Sequence, residues 1–345
     1  MSGKGRILGF ALTLIFLWIV FQKVDLRELS QAFRDADYGL VAPAAFVTLS
    51  GYILRTVRWQ RIIRPVAPLH FRSAFPILMM GFAANNLLPV RLGEVVRAYL
   101  LRRKTGARKT YGVSTIALER VCDGLTLIAI LGWVSLMMPL PVWGQTTQTV
   151  ATLLFLGATV GIMVLLVRED LAVRLVRIAC GPLPARFSAA IQRATGSFVA
   201  GLHSLKSKRS ILLIVAISGV VWALEASSYL LMTRAFGAVM EPDRQLLAAA
   251  FLLVVVNLGI MIPSGPGYVG TFQFFAVSAL GVFGVEAEQA LAIAIASHLM
   301  QYILVTAFGL VFFSREQLSF WKLEKETSAE EPEVEAAAVP VHSRQ

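Results

Sequence analysis

The sequence predicts an all-α polytopic membrane protein, with about six full transmembrane helices and two re-entrant, broken-helix hairpins arranged as an inverted repeat. Three observations predict it. The 345 residues are 57% hydrophobic and only 15% charged, and the mean hydropathy of +0.69 lies outside the range of ordinary soluble domains. Several apolar runs reach the roughly 20 residues needed to cross about 30 Å of hydrocarbon. Two further runs are interrupted alike, each by an Asn, a Pro and then Gly: Asn85-Asn86-Leu87-Leu88-Pro89-Val90-Arg91-Leu92-Gly93-Glu94, and Asn257 leading through Pro263 into Ser264-Gly265-Pro266-Gly267-Tyr268-Val269-Gly270. Broken backbone is tolerated at membrane depth only where protein buries it or a wet cavity receives it. Such breaks at matching positions of two halves are a pointer to a transporter's binding site.

The elements follow in order. Residues 7–24 form the first apolar run; Lys4 and Arg6 precede it and no small-residue cleavage site follows, so it reads as an uncleaved anchor. Residues 25–37 are mixed in charge and suit an outer interfacial helix. A second span covers 38–55, and 75–90 begins the first interrupted segment. If that segment crossed outright, Arg91, Arg97, Arg102, Arg103, Lys104, Arg108 and Lys109 would all lie outside, against the positive-inside rule. A hairpin that turns near Pro89-Val90-Arg91 and returns along 92–101 keeps them inside. Spans at 113–138 and 150–167 follow. The basic stretch 168–209, interrupted by Gly181-Pro182-Leu183-Pro184, suits amphipathic helices on an anionic leaflet. The second half then repeats the pattern upside down: a span at 211–232, a hairpin from 246–262 and 271–283, and a last span at 291–313. Residues 1–321 therefore read as one membrane domain, halved near 1–147 and 148–321, and the Glu-, Ala- and Pro-rich residues 322–345 as a disordered acidic tail. Ile116-Ala117-Leu118-Glu119 matches Ile295-Ala296-Ser297-His298, and Gly51-Tyr52 matches Gly219-Val220, in support of the repeat.

The formal charge of +11 could suggest nucleic acid, but its placement argues otherwise. With a cytoplasmic N-terminus, 25 of the 32 Lys and Arg residues fall inside and 5 outside. Arg91 and Arg120 are membrane-embedded. The expectation is an inner-membrane, multi-pass protein with both termini cytoplasmic and no nucleic-acid partner.

Charge inside a membrane points to function or to pairing. Arg55, Arg58, Arg61 and Arg64 recur every third residue; guanidinium forks bind phosphate bidentately, whereas the bland alternative is snorkelling to the headgroup layer, favoured for Arg61 and Arg64. Arg91 sits at the hairpin tip, with Glu94 and Arg97 at helical spacing, so that Glu94 would offset Arg97. Asn85, Asn86 and Asn257 can bond freed backbone or a ligand. Glu119, Arg120 and Asp123 open the span after the first hairpin; Glu225, His298 and Gln301 lie in the second half. These are candidate gating or proton-carrying groups, since desolvation can bring carboxylates and His toward neutral titration; a fixed polar network is the alternative. Gly265, Gly267 and Gly270 match the dinucleotide fingerprint literally, but between apolar segments rather than in a βαβ unit. There, with Ser264 and Tyr268, they suit a helix start whose N–H groups hold an anion, or a plain turn. Asp35-Ala36-Asp37 is the one hint of a metal-dependent transferase, and an acidic interfacial helix explains it more simply. Cys122 and Cys180 form no motif, and nothing in the sequence calls for a metal or cofactor.

Taken in order, Arg58-Trp59, the Asn85–Glu94 run, Leu118-Glu119-Arg120-Val121-Cys122-Asp123 and the Pro263–Gly270 run resemble the lysylphosphatidylglycerol synthase transmembrane, or flippase-like, family. The resemblance covers nearly the whole membrane portion. It implies a protein that handles lipids, in some members by translocating an aminoacylated phospholipid and in others within glycolipid or isoprenoid pathways. The chain leaves no room for the soluble aminoacyl-transferase domain of the two-part synthases, so lysyl-lipid synthesis is not expected. The resulting expectation is a transporter moving a phosphate-containing lipid between leaflets, with Arg55, Arg58, Arg91 and Arg97 on the phosphate. The alternatives are a lipid-linked glycosyl or headgroup transferase, and a non-transporting partner of a lipid-modifying enzyme. Membrane lipids, such an enzyme and a second copy of the chain are the candidate partners.

Overall fold

The computed structural model describes residues 3–22, 24–65, 67–88, 92–167, 207–238, 240–262 and 264–316. Arg91, the basic stretch at 168–206 and the tail at 317–345 lie outside them. Every regular element among the described residues is helical. The helices are α1 (Gly3–Phe21), α2 (Leu26–Arg34), α3 (Val41–Ile63), α4 (Phe71–Leu87), α5 (Gly93–Thr105), α6 (Lys109–Met137), α7 (Val142–Val167), α8 (Lys208–Ala235), α9 (Pro242–Gly259), α10 (Thr271–Gly281) and α11 (Ala287–Arg315). Short 3-10 turns stand at Tyr38–Leu40 and Pro266–Tyr268.

Four of these are long and apolar enough to cross a membrane among the described residues: Tyr38–Ile63, Lys109–Met137, Arg209–Ala235 and Ala287–Arg315. α1 has 19 residues, and α7 has 26 with no charged residue. The second span runs past its predicted end at residue 55 to Ile63, which keeps Arg55 and Arg58 inside the helix. Local signals set the ends. Asp25 accepts from the Arg27 N–H at 2.7 Å to start α2, Pro242 opens α9, and Gly106, with φ of 73°, closes α5.

The hairpins are positioned by α11, which both of them line. Starting from its C-terminal end, the Phe75 ring near the base of α4 lies 5.8 Å from Phe312 and 6.4 Å from Phe308. Ala83 then packs on Gly309, and Asn86 donates to Thr306 Oγ1 at 3.1 Å. Next comes the second hairpin: Gly267 abuts Tyr302, and Phe272 at the start of α10 stacks on His298 at 4.4 Å. Its base, Leu280 and Phe283, shares a core with Ala290 and Ile293. The two hairpins therefore reach inward from opposite ends of the bundle, and their tips meet halfway along α11, where Gly267 approaches the Asn86 carbonyl.

The 29-residue α6 is covered likewise: α5 lies on its first half, where Gly112 meets Ala98, and α9 shares a core with Leu127, Leu131 and Val134 on its second. α3 and α8 run antiparallel, linked by Thr48 to Ser228 at 2.9 Å and Arg58 to Ser218 at 2.9 Å. This is the inverted repeat that the sequence suggested.

Each hairpin is the centre of one apolar core. Ile77 to Met80 of α4 and Leu100 and Leu101 of α5 pack with Trp59 and Phe313, while Ala248 to Val256 of α9 pack with Met232 and Ala279. Between lipid-embedded helices no hydrophobic effect drives association, so close packing must. α4 and α5 make the closest approach: a Cβ on Gly93 would collide with the Gly81 carbonyl oxygen. Asn85 Oδ1 accepts the Gly93 N–H at 2.9 Å and so satisfies one of the donors left bare at the helix start.

Candidate functional site

Between the two cores lies a band of charge. Arg58, 1% exposed, donates to Asp123 Oδ1 at 2.6 Å and to Ser218 Oγ at 2.9 Å, and stands 3.7 Å from Glu119 Oε1. Arg97 donates to Glu119 Oε2 and lies over the Trp59 ring, 4.3 Å from its centroid. Arg55 donates to Glu225 Oε2 at 3.2 Å, stands 4.0 Å from Asp123 Oδ2 and covers the Trp222 ring at 4.7 Å. Trp222 Nε1 donates to Asp123 Oδ1 at 3.2 Å. Arg120 reaches Asp123 Oδ2 at 3.7 Å and Glu94 Oε1 at 3.9 Å. Four arginines thus face four carboxylates drawn from α3, α5, α6 and α8. Arg120 and Glu94 are 38% and 36% exposed, but the other six are buried, and burying any one of those alone would be prohibitive, so only mutual pairing makes the set tolerable.

This geometry corrects one pairing. Helical spacing matched Glu94 with Arg97, but Arg97 turns to Glu119 on α6 and Glu94 faces Arg120. It also divides the arginine row on α3: Arg55 and Arg58 are buried in the network, while Arg61 and Arg64 are exposed beside Gln60 and Leu69.

A cavity of about 140 Å³ opens where the hairpin tips meet. Of the residues expected to bind substrate, Arg55, Asn85, Asn86, Glu94, Asn257 and Tyr268 line it. So do Arg120, Glu225, His298 and Gln301 from the expected gating set. Arg58, Arg97, Glu119 and Asp123 stand behind this lining, joined to it through Arg55 and Arg120. His298 is held by its stack on Phe272 and by Gln273, whose Nε2 lies 3.1 Å from its Nδ1.

The glycine loop does not hold the open set of N–H donors that its sequence suggested. The Gly265 N–H donates to Thr13 Oγ1 at 3.0 Å, the Gly270 N–H to Gln273 Oε1 at 2.8 Å, and the Tyr268 N–H to the Gly265 carbonyl at 3.2 Å. With positive φ at Gly267, Tyr268 and Gly270, the loop is a tight turn that carries the Tyr268 side chain to the cavity. Ser264, Gly265, Gly267 and Gly270 do not line it. In the outer segment, Asp35 accepts from Gln31 at 2.9 Å and Asp37 caps the Gly39 N–H at 2.9 Å.

The aromatic wall was given no role at the sequence level: Tyr52, Phe82, Trp222, Phe272 and Tyr302 all line the cavity. Its signal was present. Tyr52 lies three residues before Arg55, Trp222 three before Glu225, and Tyr302 four after His298, so each ring shares a helix face with a polar residue.

Comparison with known proteins places this architecture. The lysylphosphatidylglycerol synthase TM region matches residues 6–309. A glycosyltransferase, AglD, of Haloferax volcanii is 25% identical over 320 residues, 84% of this chain and 51% of the relative, so the chain spans about half of that protein's length. A UPF0104 membrane protein of Methanothermobacter thermautotrophicus is 26% identical over 90% of this chain and 94% of its own. A second, from Methanocaldococcus jannaschii, is 23% identical over 66% of this chain and 92% of its own. With most of its length matched and the helical membrane architecture in place, the chain belongs to the lysylphosphatidylglycerol synthase transmembrane-region family.

Proposed function

We propose that the protein is a cell-membrane lipid transporter. The cavity receives the polar headgroup of a phosphate-containing lipid, a phospholipid or a polyprenyl-linked one, while the tails stay in the bilayer, and passes it between leaflets. The observation that carries this reading is the cavity's place: a chamber lined by charged, amide and aromatic side chains where two opposed hairpins meet inside the bundle. Opposed repeats around a central site are the architecture of alternating access. Among the described residues, Arg55 and Arg120 are the cations at the cavity surface, and a phosphate would compete there with Glu225 and Glu94 for their guanidinium groups. Arg58 and Arg97, engaged by Asp123 and Glu119, hold the wall in place.

Reconstitution into liposomes with fluorescently labelled phospholipids and polyprenyl phosphates tests this. Leaflet exchange should exceed that of protein-free vesicles and fall roughly tenfold or more in Arg55→Gln, the loss of one charge-assisted contact. Exchange at the protein-free rate for every lipid would sink the reading.

A second reading, a membrane-embedded transferase acting on a lipid-linked group, is supported by the name of the Haloferax relative. Transfer of a labelled sugar from a polyprenyl-phosphate donor by the purified protein, detected by mass spectrometry, would favour it over transport.

A further inference from the structure

The arginine row on α3 divides into two pairs with different surroundings. Arg55 and Arg58 are spent on carboxylates inside the bundle. Arg61 and Arg64 are exposed, and among the described residues neither pairs with a carboxylate or donates a side-chain hydrogen bond to the protein. The helix end does not use them either, although arginines in a last turn often bond its free carbonyls. The Gln60 carbonyl accepts the Arg64 N–H at 3.0 Å, and the Ile63 carbonyl accepts both the Ala67 N–H and the Tyr111 hydroxyl, each at 2.9 Å.

Residues three apart on a helix are neighbours on its surface, and both arginines line one groove of about 290 Å³. Its shape is held by Gln60, whose Nε2 donates to the Leu69 carbonyl at 2.8 Å and ties the turn after α3 back onto the helix. Val57, Pro68 and Leu69 make the groove apolar beside its two guanidinium groups. The Tyr111 bond to Ile63 sets the start of α6 at the same end of the bundle, so Arg102, Arg103 and Arg108 add to the positive field there.

Two guanidinium forks on one face, with no protein anion between them, match the oxygens of a phosphate. The apolar wall suits a phosphate carried on a glycerol and acyl stem, whose carbons leave water against it. We propose that Arg61 and Arg64 form a second phosphate site, outside the central cavity, which holds the headgroup phosphate of an anionic glycerophospholipid at the edge of the bundle. The site does not depend on the transport reading, since the groove and the cavity share no lining residue.

Native mass spectrometry of the full-length protein, titrated with dioleoyl-phosphatidylglycerol in a non-ionic detergent, counts the bound lipids and gives their affinities. In the Arg61→Gln/Arg64→Gln protein one bound lipid should weaken about tenfold or more, the loss of a charge-assisted contact. Both side chains are exposed, so the fold tolerates the change. Arg72→Gln/Arg315→Gln removes the same charge from exposed positions outside the groove and should alter binding less than about twofold. No weakening in the first protein, or equal weakening in the second, would overturn the site and leave arginines that only snorkel. Arg55→Gln should leave this lipid bound; its loss there would place it in the central cavity and overturn the second site. Glycerol 3-phosphate, which lacks the acyl stem, should displace the lipid only at about a hundredfold higher concentration. Displacement at equal concentration would assign the groove to soluble phosphate esters and overturn the lipid. Leaflet exchange plays no part in these readouts, so a failure of transport and a failure of this site are told apart.

Discussion

Glu119 and His298 hold corresponding places in the two halves, the eleventh residue of α6 and the twelfth of α11, yet their surroundings are opposite. Glu119, 1% exposed, sits between Arg58 and Arg97 in the charge network. His298, 9% exposed, lies flat on Phe272 with Gln273 at its Nδ1 and Tyr302 edge-on at 6.3 Å. Seven of the eight charges in this central network belong to the first half, with Glu225 the exception. The repeat therefore copies the helical frame and not its chemistry. One half supplies ionic locking, and the other supplies most of the rings that face the cavity.

Breaking the ionic half should have the largest effect. Asp123→Ala removes the hydrogen-bond acceptor of Arg58 and Trp222 and a nearby charge for Arg55 and Arg120, and should cost about 3–5 kcal/mol of stability, read as a fall in melting temperature in detergent. A loss below about 1 kcal/mol would mean that the network is solvated rather than locked.

The hairpins sharpen the comparison at intermediate size. Gly93→Ala drives a Cβ into the Gly81 backbone oxygen, which cannot turn aside, and should cost about 3 kcal/mol. Gly259→Ala meets the Phe275 ring rather than backbone and should cost less, about 2 kcal/mol. Equal losses would show that the two turns are packed with equal rigidity.

The smallest change is expected in the second half. His298→Phe keeps the stack on Phe272 and gives up the hydrogen bonds to Gln273 and to the Gly267 backbone, so stability should fall by about 1 kcal/mol. A loss as large as that of Asp123→Ala would break the division into an ionic half and a neutral half.

The sequence exposed much of this, and the residues themselves show where it stopped. Asn85 stood out as an amide in an apolar run, but its role as the cap of Gly93 needs the fold of the hairpin. Glu94 and Arg97 share a helix face by spacing, yet each finds its partner on α6 because neighbouring helices, not intervals along one helix, decide which charges meet. Gly265 and Gly270 carried the pattern of an anion-holding turn; Thr13 of α1 and Gln273 of α10 occupy the N–H groups instead.

By itself the sequence determined the membrane class, the approximate spans, both interruptions and the resemblance to a family, because hydropathy, charge placement and helix-breaking residues act locally along the chain. Only the tertiary structure decided which arginines are locked, where the hairpin tips meet and what faces the cavity. Those outcomes depend on contacts between distant residues, such as Arg55 with Glu225, 170 positions apart, and Arg58 with Ser218, 160 apart. A buried charge takes whichever opposite partner the packed helices present, and no interval in the sequence records that choice.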